Sequence, residues 1–199
     1  IGTPAGGLWK STNAGGSWVT LTDNLPQIGV SGIAIDYNNS NIIYIATGDD
    51  DAGDTQSAGV FKSTDGGLTW NQTGLNPSNS PSSMNDIYVN PNDSNMLWVA
   101  TNQGVFRSTD AGTNWTNVLS GNIKDIKLKP GDPSTVYAVS TNTFYKSTNS
   151  ARWWIELPFI SNVNNKLKKH TLLPCMHADY VLATQGEIPE RWYKAFRKN

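Results

Sequence analysis

The stretch that decides the fold is STDGGLTW, residues 63–70, because the chain contains three further copies of it. The copies are STNAGGSW at residues 11–18, STDAGTNW at 108–115 and STNSARWW at 147–154. Their first serines are separated by 52, 45 and 39 residues, and an apolar or aromatic pair followed by a basic residue precedes each copy. Self-similarity at this spacing indicates a chain built from a series of similar structural units.

The segments between the copies have the pattern of short β-strands. Upstream of the last three copies, apolar residues alternate with others, as at Ile33 and Ile35, which is typical of a half-buried strand. A turn rich in Asn, Asp, Ser, Gly or Pro follows, and then a second apolar run such as IIYIA at residues 42–46. The pair before each copy predicts a third strand, and the residues after its last tryptophan predict a fourth. Four short antiparallel strands in about 40–50 residues match one blade of a β-propeller.

The second and third copies fit the pattern Ser-x-Asp-x-Gly-x-x-Trp, while the first and fourth have Asn in place of Asp and the fourth also has Ala151 in place of the glycine. On these copies the sequence resembles the Asp-box (BNR-repeat) β-propellers. That superfamily includes sialidases, xyloglucanase-type glycoside hydrolases, sortilin-like receptors with a luminal propeller, and photosystem assembly factors. The resemblance implies an all-β arc of about four blades over residues 1–154, forming part of a six- to ten-bladed propeller whose remaining blades are missing from this chain. We expect its first blade to be entered midway. Residues 155–199 are expected to be an atypical C-terminal segment, irregular or helical.

The box is expected to stabilise the turn between strands three and four. Asp65 or Asp110 can accept hydrogen bonds from nearby backbone N–H groups, and Asn13 or Asn149 can do so without charge. The glycines that would allow a positive φ are Gly15, Gly67 and Gly112, and the tryptophans that would anchor the turn are Trp18, Trp70 and Trp115. The box therefore predicts fold rather than function, and functional residues are expected on loops of the opposite face.

The composition changes abruptly near residue 150. All glutamates, both histidines and Cys175 lie in the last 49 residues, and the charge balance is −5 before residue 151 and +4 after it. Two explanations remain open: an altered reading frame after about residue 150, or a genuine C-terminal extension. His170, Cys175, His177 and Asp179 are metal-capable types, but their spacing matches no zinc pattern.

The composition also excludes several classes of function. A net charge of −1 gives no electrostatic footprint for nucleic acid, and no apolar run approaches the roughly 20 residues that span a bilayer. The sialidases that the sequence resembles use an arginine triad and a Tyr–Glu pair, whereas residues 1–150 contain only Arg107 and no glutamate. A sialidase mechanism is therefore not expected in this arc.

The candidate site is an acidic loop between strands two and three of the second blade. From Thr47 to the box serine there are sixteen positions, compared with seven in the next two blades. The insertion contains the candidate binding residues Asp49, Asp50, Asp51 and Asp54. Asp49, Asp51 and Asp54 have the hard oxygen ligands that Ca²⁺ prefers, so calcium is a possible cofactor. The alternatives are a carboxylate pair for glycoside hydrolysis and a solvated turn-rich loop.

We expect a non-catalytic binding or scaffold module of a secreted or cell-surface protein, with a glycan or a protein as ligand. One alternative is a fragment of a xyloglucanase-like glycoside hydrolase that uses two aspartates; Asp36, Asp86 and Asp125 lie on or beside first strands without an evident partner in the sequence. A second alternative is a protein-assembly factor. Tyr88 and Trp98 are candidates for stacking on sugar rings, although the position of Trp98 recurs in other blades, which favours a packing role.

Overall fold

The protein is described by a computed structural model in which residues 1–26, 29–48, 56–76 and 81–157 are well placed. These residues form fifteen strands and no helix. The strands are β1 (Gly2–Thr3), β2 (Gly7–Lys10), β3 (Val19–Thr20), β4 (Val30–Ile35), β5 (Ile43–Thr47), β6 (Val60–Ser63), β7 (Asn71–Gln72), β8 (Met84–Asn90), β9 (Asp93–Thr101), β10 (Gly104–Ser108), β11 (Thr116–Ser120), β12 (Ile123–Lys129), β13 (Asp132–Ser140), β14 (Phe144–Ser147) and β15 (Ile155–Leu157).

The strands form four antiparallel sheets in chain order, which we call blades one to four. Blade one contains three strands, β1–β3, and each of the others contains four: β4–β7, β8–β11 and β12–β15. All pairings are between strands adjacent in the chain, so each blade is a simple meander. The predicted four-stranded blade is therefore confirmed, and β15 ends three residues beyond the expected boundary at residue 154. Residues 158–199, with the histidines and Cys175 considered above, lie outside the described part.

The blades meet along their first strands. Strand β8 packs against both β4 and β12. A Cβ atom at Gly32 of β4 would lie 2.9 Å from the backbone nitrogen of Ile87 and 3.1 Å from the Cα atom of Asp86. A side chain at this position would push the two strands apart, so the glycine permits their close approach. The first strands of blades two to four also share a register irregularity at the same point.

The hydrophobic core lies between neighbouring blades. One cluster joins blades two and three and includes Tyr44 and Val89, and another joins blades three and four and includes Trp98. Trp98 is completely buried, so it cannot stack on a sugar, and its predicted packing role is confirmed. Each blade thus depends on its neighbours for the burial of its apolar faces, as in other repeat folds.

The boxes form the predicted turns. Asp65 Oδ1 accepts a hydrogen bond from the backbone N–H of Thr69 at 2.9 Å, and Ser63 Oγ accepts one from the N–H of Gly67 at 2.8 Å. Gly67 has a φ of 95°. The fourth box keeps this geometry although its glycine is replaced: Ala151 has a φ of 62° and its N–H donates to Ser147 Oγ at 3.0 Å. The fourth box therefore forms the same turn, with an alanine in the left-handed backbone conformation that favours glycine.

The boxes also connect each blade to the preceding one. The carbonyl of Gly66 accepts from Lys10 Nζ at 2.7 Å, that of Ala111 from the Tyr44 hydroxyl at 3.2 Å, and that of Ser150 from Trp98 Nε1 at 3.3 Å. In every case the donor lies one blade earlier in the chain. The box is therefore a contact between blades as well as a turn within one.

We expect the Asp65→Asn variant to lose less stability in acid than the wild type. Hydrogen bonds from Thr69 and Ser63 lower the pKa of Asp65 to about 2. Because this value lies below that of the unfolded chain, the stabilisation is present above about pH 4 and is lost as the pH falls toward 2. Asparagine keeps an uncharged acceptor for the backbone N–H, as Asn13 Oδ1 is for the N–H of Ser17 at 2.8 Å, and its amide N–H2 can donate to the hydroxyl of the fifth residue of the turn, as Asn13 Nδ2 does to Ser17 Oγ at 3.0 Å. Urea midpoints measured between about pH 5 and pH 2 would test this; equal acid sensitivity of the two proteins would contradict it.

Candidate functional site

A buried ionic cluster joins the first strands of blades three and four. Lys127 Nζ on β12 lies 2.7 Å from Asp86 Oδ2 on β8 and 2.7 Å from Asp125 Oδ1 on its own strand. The same ammonium lies 4.9 Å from the ring centroid of Tyr88. We call these four residues the Lys127 cluster. All three charged side chains are about three-quarters buried or more, so their contacts are weakly screened by solvent.

Strand periodicity decides which side chains of each strand lie on one side. Ile87 packs in the cluster that joins blades two and three, Ile126 packs in the cluster that joins blades three and four, and both are almost completely buried. In a strand the neighbours of an inward residue point to the other side, so Asp86 and Tyr88 share one side of β8, as Asp125 and Lys127 do on β12. Both aspartates also accept a 2.8 Å hydrogen bond from the N–H of the following isoleucine.

Burial and the neighbouring charges shift the pKa values of Asp86 and Lys127 in opposite directions. Burial raises the pKa of Asp86 to about 6, although Lys127 and the Ile87 N–H act to lower it. Burial alone would lower the pKa of Lys127, but the charge of Asp86 and the hydrogen bonds that the ammonium donates to the surrounding oxygens raise it above the usual lysine range. Burial also raises the pKa of Tyr88. Lys127 therefore stays positively charged beside an Asp86 carboxyl group whose pKa burial raises.

The cluster is better suited to holding two blades together than to acid–base chemistry. A glycoside hydrolase needs one carboxyl group that protonates the leaving group and another that is free to act as base or nucleophile. In the Lys127 cluster, one oxygen of Asp86 and one of Asp125 each contact the Lys127 ammonium. Neither carboxylate is therefore free to act as the base or nucleophile. The pairing of Asp86 with Asp125 was not evident from the sequence, but the repeat contains a signal: DIY at residues 86–88 aligns with DIK at 125–127.

Comparison with known proteins identifies the architecture. No protein-family model matches the chain, and no curated protein matches it. A GH74 enzyme of Niastella koreensis is similar in structure, with a TM-score of 0.62 and 22% identity over 77% of this chain and 27% of that one. The GH74 xyloglucanase of Xanthomonas campestris gives 0.60 and 18% over the same shares. YCF48 bound to a D1 peptide gives 0.53 and 20% over 78% of this chain and 49% of that one.

The chain is an arc of a β-propeller. It spans about a quarter of the length of the GH74 enzymes it matches (27%). At these identities the similarity establishes the fold of the arc. Its activity and ligand must be argued from its own residues.

The predicted acidic loop of the propeller arc lies mostly outside the described residues, including Asp49, Asp50, Asp51 and Asp54. The stems of the loop are described. A Cβ atom at Gly48, whose φ is 92°, would lie 2.7 Å from the backbone nitrogen of Ser57, so the two stems touch. A hydrogen bond also joins the two stems: Thr47 Oγ1 donates to the carbonyl of Gly59 at 2.6 Å. The calcium prediction stays a prediction; within the described ranges no group of three or more acidic, His or Cys side chains could hold a metal.

The other candidate residues have structural contacts in the propeller arc. Asp36 is buried and its Oδ1 accepts from Ser94 Oγ at 2.8 Å, which links blades two and three. Arg107 is half-buried on β10. Over the residues that are described, there is also no helix able to cross a bilayer.

Proposed function

We propose that this arc is a non-catalytic binding or scaffold module of a β-propeller whose remaining blades complete the ring. The Lys127 cluster is the observation that most supports this. It brings two aspartates together, but it binds both to one lysine and buries them at the contact between blades. The two-aspartate hydrolase, the main alternative, would need carboxylates that are free to exchange protons with a substrate.

We propose that the ligand, a glycan or a protein, binds on the face opposite the boxes. In a meander of four strands, the turns after strands one and three share one face, and the loop after strand two lies on the other. The box N–H of Gly66 donates to the carbonyl of Asn41 in the first turn at 2.9 Å, which fixes that arrangement. The two stems of the extended loop of blade two, at Gly48 and Ser57, follow strand two and precede strand three, and we propose that Asp49, Asp50, Asp51 and Asp54 between them contact the ligand. This loop offers both charge and hydrogen-bond acceptors to a ligand.

Two further parts of the proposal concern calcium and location. Asp49, Asp51 and Asp54 would supply carboxylate oxygens to a Ca²⁺ ion, whose chemical role would be to order the loop. A secreted or cell-surface location is supported by the resemblance to receptors with luminal propellers. The match to YCF48 in complex with a peptide supports a protein ligand as one of the two options.

We expect Ca²⁺ to bind the full chain and to stabilise it, with loss of both effects in an Asp49→Asn, Asp51→Asn, Asp54→Asn triple variant. Isothermal titration and thermal unfolding with added Ca²⁺ measure this, because a ligand that binds only the folded state raises its stability. The matched control is Asp65→Asn with Asp110→Asn, which removes two carboxylates on the box face. Calcium binding that persists in the triple variant would contradict the assignment. Hydrolysis of xyloglucan by the wild type, lost in the triple variant, would contradict the non-catalytic role.

A further inference from the structure

The guanidinium group of Arg107 on β10 has no partner among the described residues. Its Nε atom is shielded from solvent and has no hydrogen-bond acceptor there, and no ion pair joins the side chain to a described carboxylate. A buried donor without an acceptor is costly, because water no longer solvates it. The side chain as a whole is only partly buried, so a ligand that supplies acceptors can reach its outer nitrogens.

The repeat shows how the equivalent cation is used one blade earlier. Lys62 occupies the same position in blade two and donates to the carbonyl of Ala111 in the next box at 3.5 Å. The corresponding carbonyl of the fourth box is that of Ser150, which accepts from Trp98 Nε1 at 3.3 Å. Arg107 does not donate to it. The donor that serves as a contact between blades two and three is therefore unused between blades three and four.

Strand register places Arg107 beside the fourth box. Arg107 pairs with Trp98 of β9, and paired residues of antiparallel strands lie on the same side of a sheet. Trp98 packs in the cluster that joins blades three and four, which also contains Ala151 of the fourth box. The side chain of Arg107 is therefore directed toward that box.

A second arginine lies in the same box. Arg152 is its sixth residue, a position where none of the other three boxes has a charge. Its backbone N–H donates to Asn149 Oδ1 at 3.1 Å, which holds it in the turn, and its side chain is exposed. Asn149 replaces the aspartate of the second and third boxes, so the fourth box has no carboxylate. Burial lowers the pKa of Arg107, and the nearby charge of Arg152 lowers it further.

We propose that Arg107 and Arg152 form a binding site for a doubly charged tetrahedral oxyanion, either a phosphate or a sulfate group of a ligand. We call it the two-arginine site. Two guanidinium groups match such an anion in charge, and each can donate two hydrogen bonds to its oxygens. An anion between them replaces the repulsion of two like charges by two attractive contacts. The site lies at the box end of the blades, so it is separate from the ligand face proposed above and goes beyond that function.

The test is isothermal titration of the full chain with sodium phosphate, sodium sulfate and sodium acetate. It is done at about pH 8 and in about 0.1 M sodium chloride, which screens more distant charges. We expect one-to-one binding of phosphate and sulfate, of which the tighter identifies the group. Acetate should bind at least about tenfold more weakly, because it has one charge instead of two.

Arg107→Gln and Arg152→Gln should each weaken binding at least about tenfold, the effect of losing one charged hydrogen-bond donor. The matched control is Lys62→Gln, which removes one positive charge at the same repeat position in blade two and should change the affinity less than about twofold. Circular dichroism verifies the folding of each variant. Because the side chain of Arg152 is exposed, Arg152→Gln keeps the site testable even if Arg107→Gln does not fold.

Three results would overturn the proposal. The first is absence of phosphate and sulfate binding to the folded wild type. The second is wild-type affinity in Arg152→Gln, or an equal loss in Arg152→Gln and Lys62→Gln, which would indicate a general effect of charge. The third is acetate binding as tight as that of phosphate and sulfate, which would exclude recognition of a doubly charged anion.

Discussion

Replacement of Lys127 by methionine is expected to destabilise the protein by about 3 kcal/mol at neutral pH, because it leaves two buried carboxylates without a positive partner. Asp86 and Asp125 each lie 2.7 Å from the Lys127 ammonium, and the side chains are mostly buried. Methionine has a similar length and keeps much of the packing. A loss of this size would be a large part of the stability of a typical domain. Urea unfolding followed by tryptophan fluorescence measures it.

The pH dependence separates the electrostatic effect from a packing defect. Burial already raises the pKa of Asp86 to about 6 in the wild type, and removal of Lys127 raises it further. A carboxyl group whose folded pKa exceeds its unfolded value is most compatible with folding when protonated, so its ionisation costs stability as the pH rises through the folded value. The deficit of Lys127→Met should therefore be largest above about pH 7 and should shrink toward pH 5. A pH-independent deficit would indicate lost packing instead.

Two variants act as controls for this effect. Lys129→Met removes a lysine two positions away that lies 3.8 Å from Asp132 and is half exposed, so it should cost less than about 0.5 kcal/mol. Asp86→Asn and Asp125→Asn added to Lys127→Met remove all three charges and should recover at least about half of the loss, as replacement of whole buried ion pairs often does. Equal stability of Lys127→Met and Lys129→Met would contradict the role of the cluster.

The sequence predicted the blades because their pattern is local. Alternating apolar residues, turn residues and the box all lie within one repeat, and the hydrogen bonds between residues of the same box span at most four positions, as from Thr69 to Asp65. The recurrence of Tyr44, Trp98 and Tyr137 at one position also predicted packing correctly, and all three are buried.

Contacts between blades could not be predicted in the same way. Lys127 and Asp86 are 41 residues apart, and their meeting depends on how closely the first strands approach, which is a property of the assembled arc. The donors to the box carbonyls are a lysine, a tyrosine and a tryptophan in successive blades, so no single motif identifies them. The acidic loop was found only by its unusual length, and length alone specifies neither a fold nor a ligand.

Trp98→Ala is expected to cost about 3–5 kcal/mol, the range for truncation of a fully buried aromatic side chain. Trp98 lies on β9 within the cluster that joins blades three and four, and its Nε1 donates to the carbonyl of Ser150 in the next box. The substitution removes apolar contact and a hydrogen bond at the same interface. Trp98→Phe keeps most of the ring contact but leaves that carbonyl without its donor, so we expect about 1–2 kcal/mol for it.

The matched control is Trp153→Ala, since Trp153 lies three residues beyond Ser150 and is 78% exposed. Its loss should change the free energy of unfolding by less than about 0.5 kcal/mol. Urea unfolding of the three variants and the wild type would give the comparison. If Trp98 served a ligand rather than the contact between blades, Trp98→Ala would unfold like Trp153→Ala. A loss near the full range would instead show that blade four is held to blade three by the same residue position that, through Tyr44, holds blade three to blade two.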